Sequence, residues 1–121
     1  MSTHGCIGVI ADNKKRFAYN HFDSYPGNLG INFLGQIRSL INRFSIKELK
    51  RSVSVSEIAD REKLPTENQK KRLRQIYDPD LTVSNRSEDD WYCLFRNFQG
   101  NLESYLLAGI FPDDHNIYQY G

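Results

Sequence analysis

The chain has 121 residues, a hydrophobic fraction of 39%, seven Phe, seven Tyr and one Trp, and a formal net charge of +1. This length suits one domain with one core and is short for two. The mean hydropathy is −0.62, and no apolar run approaches the roughly 18 to 20 residues that span a bilayer. Composition therefore argues against an integral membrane protein, and we expect a single domain over residues 1–121.

The two cysteines predict a reducing compartment. Cys6 and Cys93 are far apart in sequence, and each has apolar neighbours, which is typical of buried free thiols. The N-terminus lacks the basic segment and apolar run of a signal peptide. These features predict a cytoplasmic protein, of a bacterium or of an infected host cell.

The first third of the chain predicts a β-hairpin followed by a helix. Residues 4–11 and 14–22 read as two strands, and Gly5 and Gly8 in the first either leave room for another group to approach the backbone or mark a bulge. Apolar residues at helical spacing then predict a helix over residues 28–44. Its Gly35 suggests close packing on the sheet, since glycine disfavours a helix interior.

Shorter helices and extended pieces are predicted in the rest of the chain. A short helical piece is predicted from Ile46 to about Arg51. Residues 53–56 read as a short edge strand or extended segment, and residues 81–84 as a short β-prone piece. A capping-box pattern at Thr66 starts another helix. A helix over residues 88–98 carries the aromatic side chains of the core, and one more helix follows Asn101. The expected fold class is α+β, with an N-terminal β-hairpin packed against several helices and short extra strands.

The run from Tyr19 to Gly30 is the densest in chemically capable residues. On a strand, His21 and Asp23 share one face, and the Pro26-Gly27 pair predicts a sharp turn before the helix. We therefore expect a recognition site in this run. Its candidate binding residues are Asn20, His21, Asp23, Ser24, Tyr25, Gly27 and Asn28.

Two interpretations of the His21–Asp23 pair stay open. The pair could act as a general base or metal ligand, or Asp23 could cap the turn while His21 packs under the helix. Further metal ligands would have to come from His4 or His115, and no spacing matches a zinc pattern, so we expect neither a metal nor a cofactor. Ser2 is the one conceivable nucleophile at a processed N-terminus.

Charge is distributed unevenly along the chain. Residues 36–74 hold eleven basic and five acidic side chains, whereas residues 75–121 hold two basic and eight acidic ones. The two parts could pair with each other, within one chain or between copies in a homo-oligomer. Alternatively, the cations could bind nucleic acid, although the pI of about 7.8 is low for that role. The candidate contacts are Lys47, Lys50, Arg51, Lys70, Lys71 and Arg74.

Two motifs together resemble a known protein family. The run Tyr-Asn-His-Phe-Asp-Ser-Tyr-Pro at residues 19–26, with Leu29-Gly30, and the run Asp-Trp-Tyr-Cys-Leu at residues 90–94 are similar to those of small uncharacterised proteins of bacteria, phages and other mobile elements. The family has no assigned reaction, but its distribution among phages and mobile elements suggests a class of small proteins that block a host defence, as anti-CRISPR proteins do. Such proteins bind a defence protein complex or a small anionic nucleotide.

We therefore expect a small phage or mobile-element protein that acts by binding, with no membrane partner. The recognition surface would lie around residues 20–28. The alternative is a small hydrolase or transferase that uses His21 and Asp23.

Overall fold

The fold is α+β, as the sequence predicts. The computed structural model describes residues 5–11, 13–20 and 29–112. Its elements are β1 (Gly5–Ala11), β2 (Lys14–Asn20), α1 (Ile31–Arg43), α2 (Ile46–Val55), β3 (Glu57–Ile58), α3 (Glu67–Arg74), α4 (Trp91–Phe95), a 3₁₀ turn (Arg96–Phe98), α5 (Leu102–Ala108) and β4 (Ile110–Phe111). No helix of the described ranges is both long and apolar enough to cross a bilayer.

The predicted hairpin is formed by β1 and β2. The strands pair antiparallel, from Gly5 opposite Asn20 to Ala11 opposite Lys14. The hairpin buries Ile7 and Ala18, which are paired and share one face. On the other face, a side chain added at Gly8 would collide with the ring of Phe17. The close approach predicted from the glycines is therefore confirmed at this position.

Aromatic side chains of α4, the 3₁₀ turn, α5 and β4 pack together and form an aromatic core. The rings of Phe95 and Phe98 meet edge to face with centroids 6.0 Å apart, and Tyr105 stacks on Phe111 at 5.3 Å. Phe111 belongs to β4, which pairs parallel with β3. The prediction that Trp91, Tyr92, Phe95 and Phe98 form core is confirmed for Trp91, Phe95 and Phe98, which are all buried. Tyr92 is only half-buried.

Arg72 joins three elements at the edge of this core. Its Nη2 donates to the carbonyls of Ala108 (2.9 Å) and Gly109 (3.1 Å), and its guanidinium pairs with Glu57. Gly109 ends α5 with a φ of 72°, which glycine adopts without steric cost. Thus α3, the end of α5 and the start of β3 are held together by one side chain.

Three predictions of local structure are wrong. Residues 53–55 are the last turn of α2, because the helix started by the Ser45 cap continues past a four-residue alternation too short to override it. Residues 81–84 form turns, with Ser84 at a φ of 52°, which is incompatible with a strand. Gly35 does not pack on the sheet, since a Cβ there would meet no atom within 4 Å.

Helix α4 is also shorter than predicted. It begins at Trp91 because the Asp90 side chain caps it there, accepting from Tyr92 N at 2.8 Å. The predicted start at residue 88 lies in the preceding turn, where Ser87 Oγ accepts from Asp89 N.

Candidate functional site

A groove of about 230 Å³ opens between the hairpin, α1, α2 and α5. Its lining consists of residues 9–11 of β1, Ile37, Leu40 and Ile41 of α1, Ile46, Leu49, Lys50 and Val53 of α2, and Leu102 and Leu106 of α5. Among the described residues that form this lining, Lys50 is the one that is ionisable. The groove is therefore an almost wholly aliphatic concavity on the described surface.

The groove has a buried floor and an exposed rim. Leu40, Val53 and Leu102 are at most 5% exposed and belong to the floor. Ile10, Ile41 and Ile46 are 64%, 49% and 54% exposed. A rim of large aliphatic side chains in water is what partner-binding surfaces show, because covering them removes apolar area from water.

Helix α2 forms one wall, and its start is fixed by a capping box. Ser45 Oγ accepts from Glu48 N at 3.1 Å, and Glu48 Oε1 accepts from Ser45 N at 3.2 Å. Helix α1 ends at Arg43, so only two residues separate the helices. This short connection forces the chain to turn at once, which places Ile41 and Ile46 on the same rim.

Arg16 of β2 joins the hairpin to the C-terminal end of α2 through hydrogen bonds. Its side chain is buried, and its Nε donates to Ser56 Oγ (2.9 Å) while Nη2 donates to the Ser56 carbonyl (3.0 Å). Ser56 is the C-cap residue of α2, where the helix dipole favours a cation. Because Arg16 pairs with Val9 across the hairpin, this attachment positions the β1 side of the groove against α2.

A row of cations runs along α2 beside the groove. Lys47, Lys50, Arg51 and Ser54 share one helix face and, with Ile46, line a second depression next to the first. All three cations are exposed, and none forms an ion pair with a described residue. We call Lys47, Lys50 and Arg51 the α2 basic row.

Two further cations lie at the hairpin end of the groove. Lys14 and Lys15 pair across the hairpin with Ala11 and Ile10, which line the groove. Both lysines are exposed. Positive charge therefore flanks the aliphatic groove at its β1 side and along α2.

The other predicted nucleic-acid contacts are arranged differently. Lys70 is only 11% exposed at its side chain, and its Nζ lies 2.8 Å from Asp89 and 2.7 Å from Glu67. Hydrogen bonds to Asp89 and then to Glu67 raise the pKa of Lys70 above its ordinary value. Arg74 pairs with Glu88 at 3.1 Å, and Lys71 is exposed. Nucleic-acid binding stays a prediction, and two of its six cations have carboxylate partners within the chain.

The predicted pairing of the basic and acidic parts occurs within the chain. Among the described residues, three ion pairs join the basic part to the acidic part: Arg43–Glu103 at 2.7 Å, Lys70–Asp89 at 2.8 Å and Arg74–Glu88 at 3.1 Å. Pairing between copies stays a prediction.

Asp90 in the acidic part has a structural role. Burial acts to raise the pKa of its carboxyl, but hydrogen bonds from Ser84 Oγ (2.6 Å), Asn85 N (3.0 Å) and Tyr92 N outweigh burial and lower that pKa. The carboxylate thus stays ionised while it closes the loop before α4 and caps the helix.

The recognition site expected from the sequence falls almost wholly outside the described residues. Asn20 is the last residue of β2, while His21, Asp23, Ser24, Tyr25, Gly27 and Asn28 lie in residues 21–28, which the structure does not describe. The same holds for Ser2, His4 and His115. Helix α1 begins at Ile31 with Gly30 at its N-cap position, which has no side-chain cap. The hypothesis of a site at residues 20–28 therefore stays a prediction.

The remaining reactive groups of the described ranges do not assemble into a site. No cluster of three or more His, Cys, Asp or Glu side chains in these ranges could hold a metal ion. Cys93 is fully buried, and its Sγ donates to the Val83 carbonyl at 3.2 Å. Its predicted burial as a free thiol is confirmed, and burial keeps it from attacking a substrate.

Sequence reasoning missed the groove, although α1 carried a signal for it. Leu34, Ile41 and Phe44 are exposed, whereas Phe33, Ile37 and Leu40 pack inward. When a helix carries more apolar residues than its buried face requires, the remaining apolar residues are available for contact with another molecule. The pattern Ser45-x-x-Glu48 likewise marked the start of α2.

Comparisons of the chain with protein-family models, with curated proteins and with solved structures found no match. The resemblance carried by the two motifs of the sequence therefore stays a prediction.

Proposed function

We propose that this protein acts by binding a partner protein, whose apolar side chains fill the groove between β1, α1, α2 and α5. The observation that carries the proposal is the exposed aliphatic rim of Ile10, Ile41 and Ile46 around a concave aliphatic floor. Recognition of an amphipathic helix by such a groove is a recurring mode of protein–peptide binding.

The lining of the groove favours a polypeptide segment over a small molecule. Small-molecule pockets place several converging polar groups within their apolar lining, whereas Lys50 is the one ionisable residue among the described residues that line this groove. Turnover needs positioned acids, bases or nucleophiles, and this groove offers aliphatic contact instead.

The setting that we propose for this binding is the blocking of a host defence by a phage or mobile-element protein. The support for this part is the resemblance of the two motifs, and the groove is compatible with a protein complex as the target. The groove would then bind a segment of a defence protein.

The experiment uses two labelled helical peptides of about 15 residues, enough for about four turns. Both carry Leu at positions i, i+3, i+4 and i+7 of one face, and the polar face holds Glu in one peptide and Gln in the other. The test variant is Ile41→Gln/Ile46→Gln. Its control is Leu64→Gln/Leu107→Gln, since these leucines are 73% and 66% exposed and do not line the groove.

Fluorescence anisotropy measures the affinity of each protein for the peptides. We expect the groove variant to bind at least about tenfold more weakly than the wild type, because two aliphatic contacts are lost. The control variant should bind as the wild type does. If neither peptide binds, or if the groove variant binds like the control, the proposal is wrong.

A further inference from the structure

The groove lies beside cations that have no carboxylate partner among the described residues. Lys50 borders both the groove and the adjoining depression, and Lys47 and Arg51 follow on the same face of α2. Glu48 is the one acid on this helix and is held in the capping box with Ser45. The surface therefore joins an aliphatic strip to a row of net positive charge.

We propose that the segment bound in the groove is an acidic amphipathic helix of another protein. This inference rests on the function proposed above and names the chemistry of the partner. An apolar face of that helix would cover Ile41 and Ile46, while carboxylates at its flank would meet the α2 basic row. Opposite charges across an interface fix orientation and speed association.

A second copy of this chain fits the basic row poorly. The described carboxylates of the acidic part are largely engaged within their own chain: Glu88, Asp89 and Glu103 in ion pairs, and Asp80 and Asp90 in loops and caps. Thr82 N and Oγ1 both donate to Asp80 Oδ1, which commits this carboxylate locally and lowers its pKa. Among the described residues, the acidic part of a second copy therefore offers few uncommitted carboxylates to the α2 basic row.

The aliphatic lining of the groove favours an acidic protein segment over a nucleic acid as its partner. A phosphate backbone would satisfy the cations and leave Ile41 and Ile46 in water, since base recognition on protein surfaces relies on aromatic stacking or hydrogen bonds. An amphipathic helix satisfies both parts of the surface at once. Charge and apolar area together thus favour the acidic helix.

The test compares the Glu and Gln peptides at about 50 mM and about 300 mM salt, since screening over this range weakens exposed charge pairs. The test variant is Lys47→Gln/Arg51→Gln, which removes two cations that do not line the groove itself. The matched control is Arg61→Gln/Lys71→Gln, another exposed Arg and Lys without an ion pair to a described residue. Single-stranded DNA serves as the competitor.

We expect the Glu peptide to bind about tenfold more tightly than the Gln peptide at low salt, as several exposed charge pairs would give together. The advantage should shrink at high salt and be lost in Lys47→Gln/Arg51→Gln, but persist in the control variant. If both peptides bind equally and the groove variant weakens both, the proposed function stands and the acidic partner is wrong. If neither binds, the proposed function itself fails.

Two other occupants would overturn the inference. Single-stranded DNA that displaces the Glu peptide at equal concentration, with its own binding lost in Lys47→Gln/Arg51→Gln, would assign the basic row to nucleic acid. A dimer in sedimentation that dissociates in Ile41→Gln/Ile46→Gln would assign the groove to a second copy. We expect neither outcome.

Discussion

At the scale of single residues, Tyr105 shows what the core tolerates. Its side chain is fully buried against Phe95, Phe98 and Phe111, and its hydroxyl has no hydrogen-bond partner among the described residues. A buried, unsatisfied hydroxyl costs on the order of 1–3 kcal/mol. Tyr105 therefore contributes packing with its ring, while its hydroxyl opposes folding.

We expect Tyr105→Phe to leave the free energy of unfolding unchanged or to raise it by up to about 1–3 kcal/mol near neutral pH, because the ring stays and the hydroxyl goes. Burial also raises the pKa of Tyr105, so folding favours its neutral form. That contribution is present below the unfolded pKa of about 10 and is lost as pH rises above it. The variant should therefore lose less stability than the wild type in alkaline solution.

Urea unfolding at about pH 8 and about pH 11, on either side of the unfolded pKa, measures both effects. Tyr92→Phe is the control, because Tyr92 is only partly buried. A Tyr105→Phe variant that is clearly less stable at neutral pH would show that the hydroxyl has a stabilising partner.

At the scale of elements, the attachment of the hairpin to α2 depends on the guanidinium of Arg16. Its fork reaches two atoms of Ser56 at once, Oγ and the carbonyl oxygen. A lysine has one donor group at the end of a flexible stem and cannot reproduce this geometry.

We expect Arg16→Lys to lower the free energy of unfolding by about 1–3 kcal/mol, because buried hydrogen bonds of a charged group are lost. Lys15→Arg is the matched control, since Lys15 is exposed at the neighbouring position. Urea unfolding midpoints at constant slope measure the change. Equal midpoints for Arg16→Lys and the wild type would mean that the hairpin is held by other contacts.

Capping and turn residues in the sequence correctly predicted the elements whose ends these residues determine. Thr66 caps α3 as expected, with Thr66 Oγ1 accepting from Gln69 N at 3.1 Å and Gln69 Oε1 accepting from Thr66 N at 2.9 Å. The hairpin and the glycine at the end of α5 follow from turn and cap residues in the same way. These features lie within a few residues of the side chains that cause them.

Features that depend on distant partners were not predictable. Residues 81–84 have β propensity, yet they form turns, in which Ser84 Oγ donates to Asp90 Oδ2 and the Val83 carbonyl accepts from Cys93 Sγ. The groove brings together β1, α1, α2 and α5, four segments whose relative placement no local pattern specifies. The candidate site at residues 20–28 is the reverse case. The sequence indicates this site, but most of it lies outside the residues that the structure describes.

At the scale of the whole molecule, charge and apolar area are arranged around the groove. Ion pairs between the basic and acidic parts neutralise Arg43, Lys70 and Arg74 within the chain. The α2 basic row has no such partners among the described residues, and it lies beside the exposed aliphatic rim. This contrast is the basis of the proposal that a chain with a net charge of only +1 binds an acidic partner at one surface.

The measurement that tests this account most directly is a titration of the isotope-labelled protein with the Glu peptide, followed by amide correlation spectra. We predict that the largest shifts cluster in residues 9–11, in the second half of α1 and in α2. Residues 61–64 and 71, away from the groove, should stay unchanged. Shifts concentrated in residues 20–28, with the groove unaffected, would contradict the account and return the recognition site to the turn that the sequence first indicated.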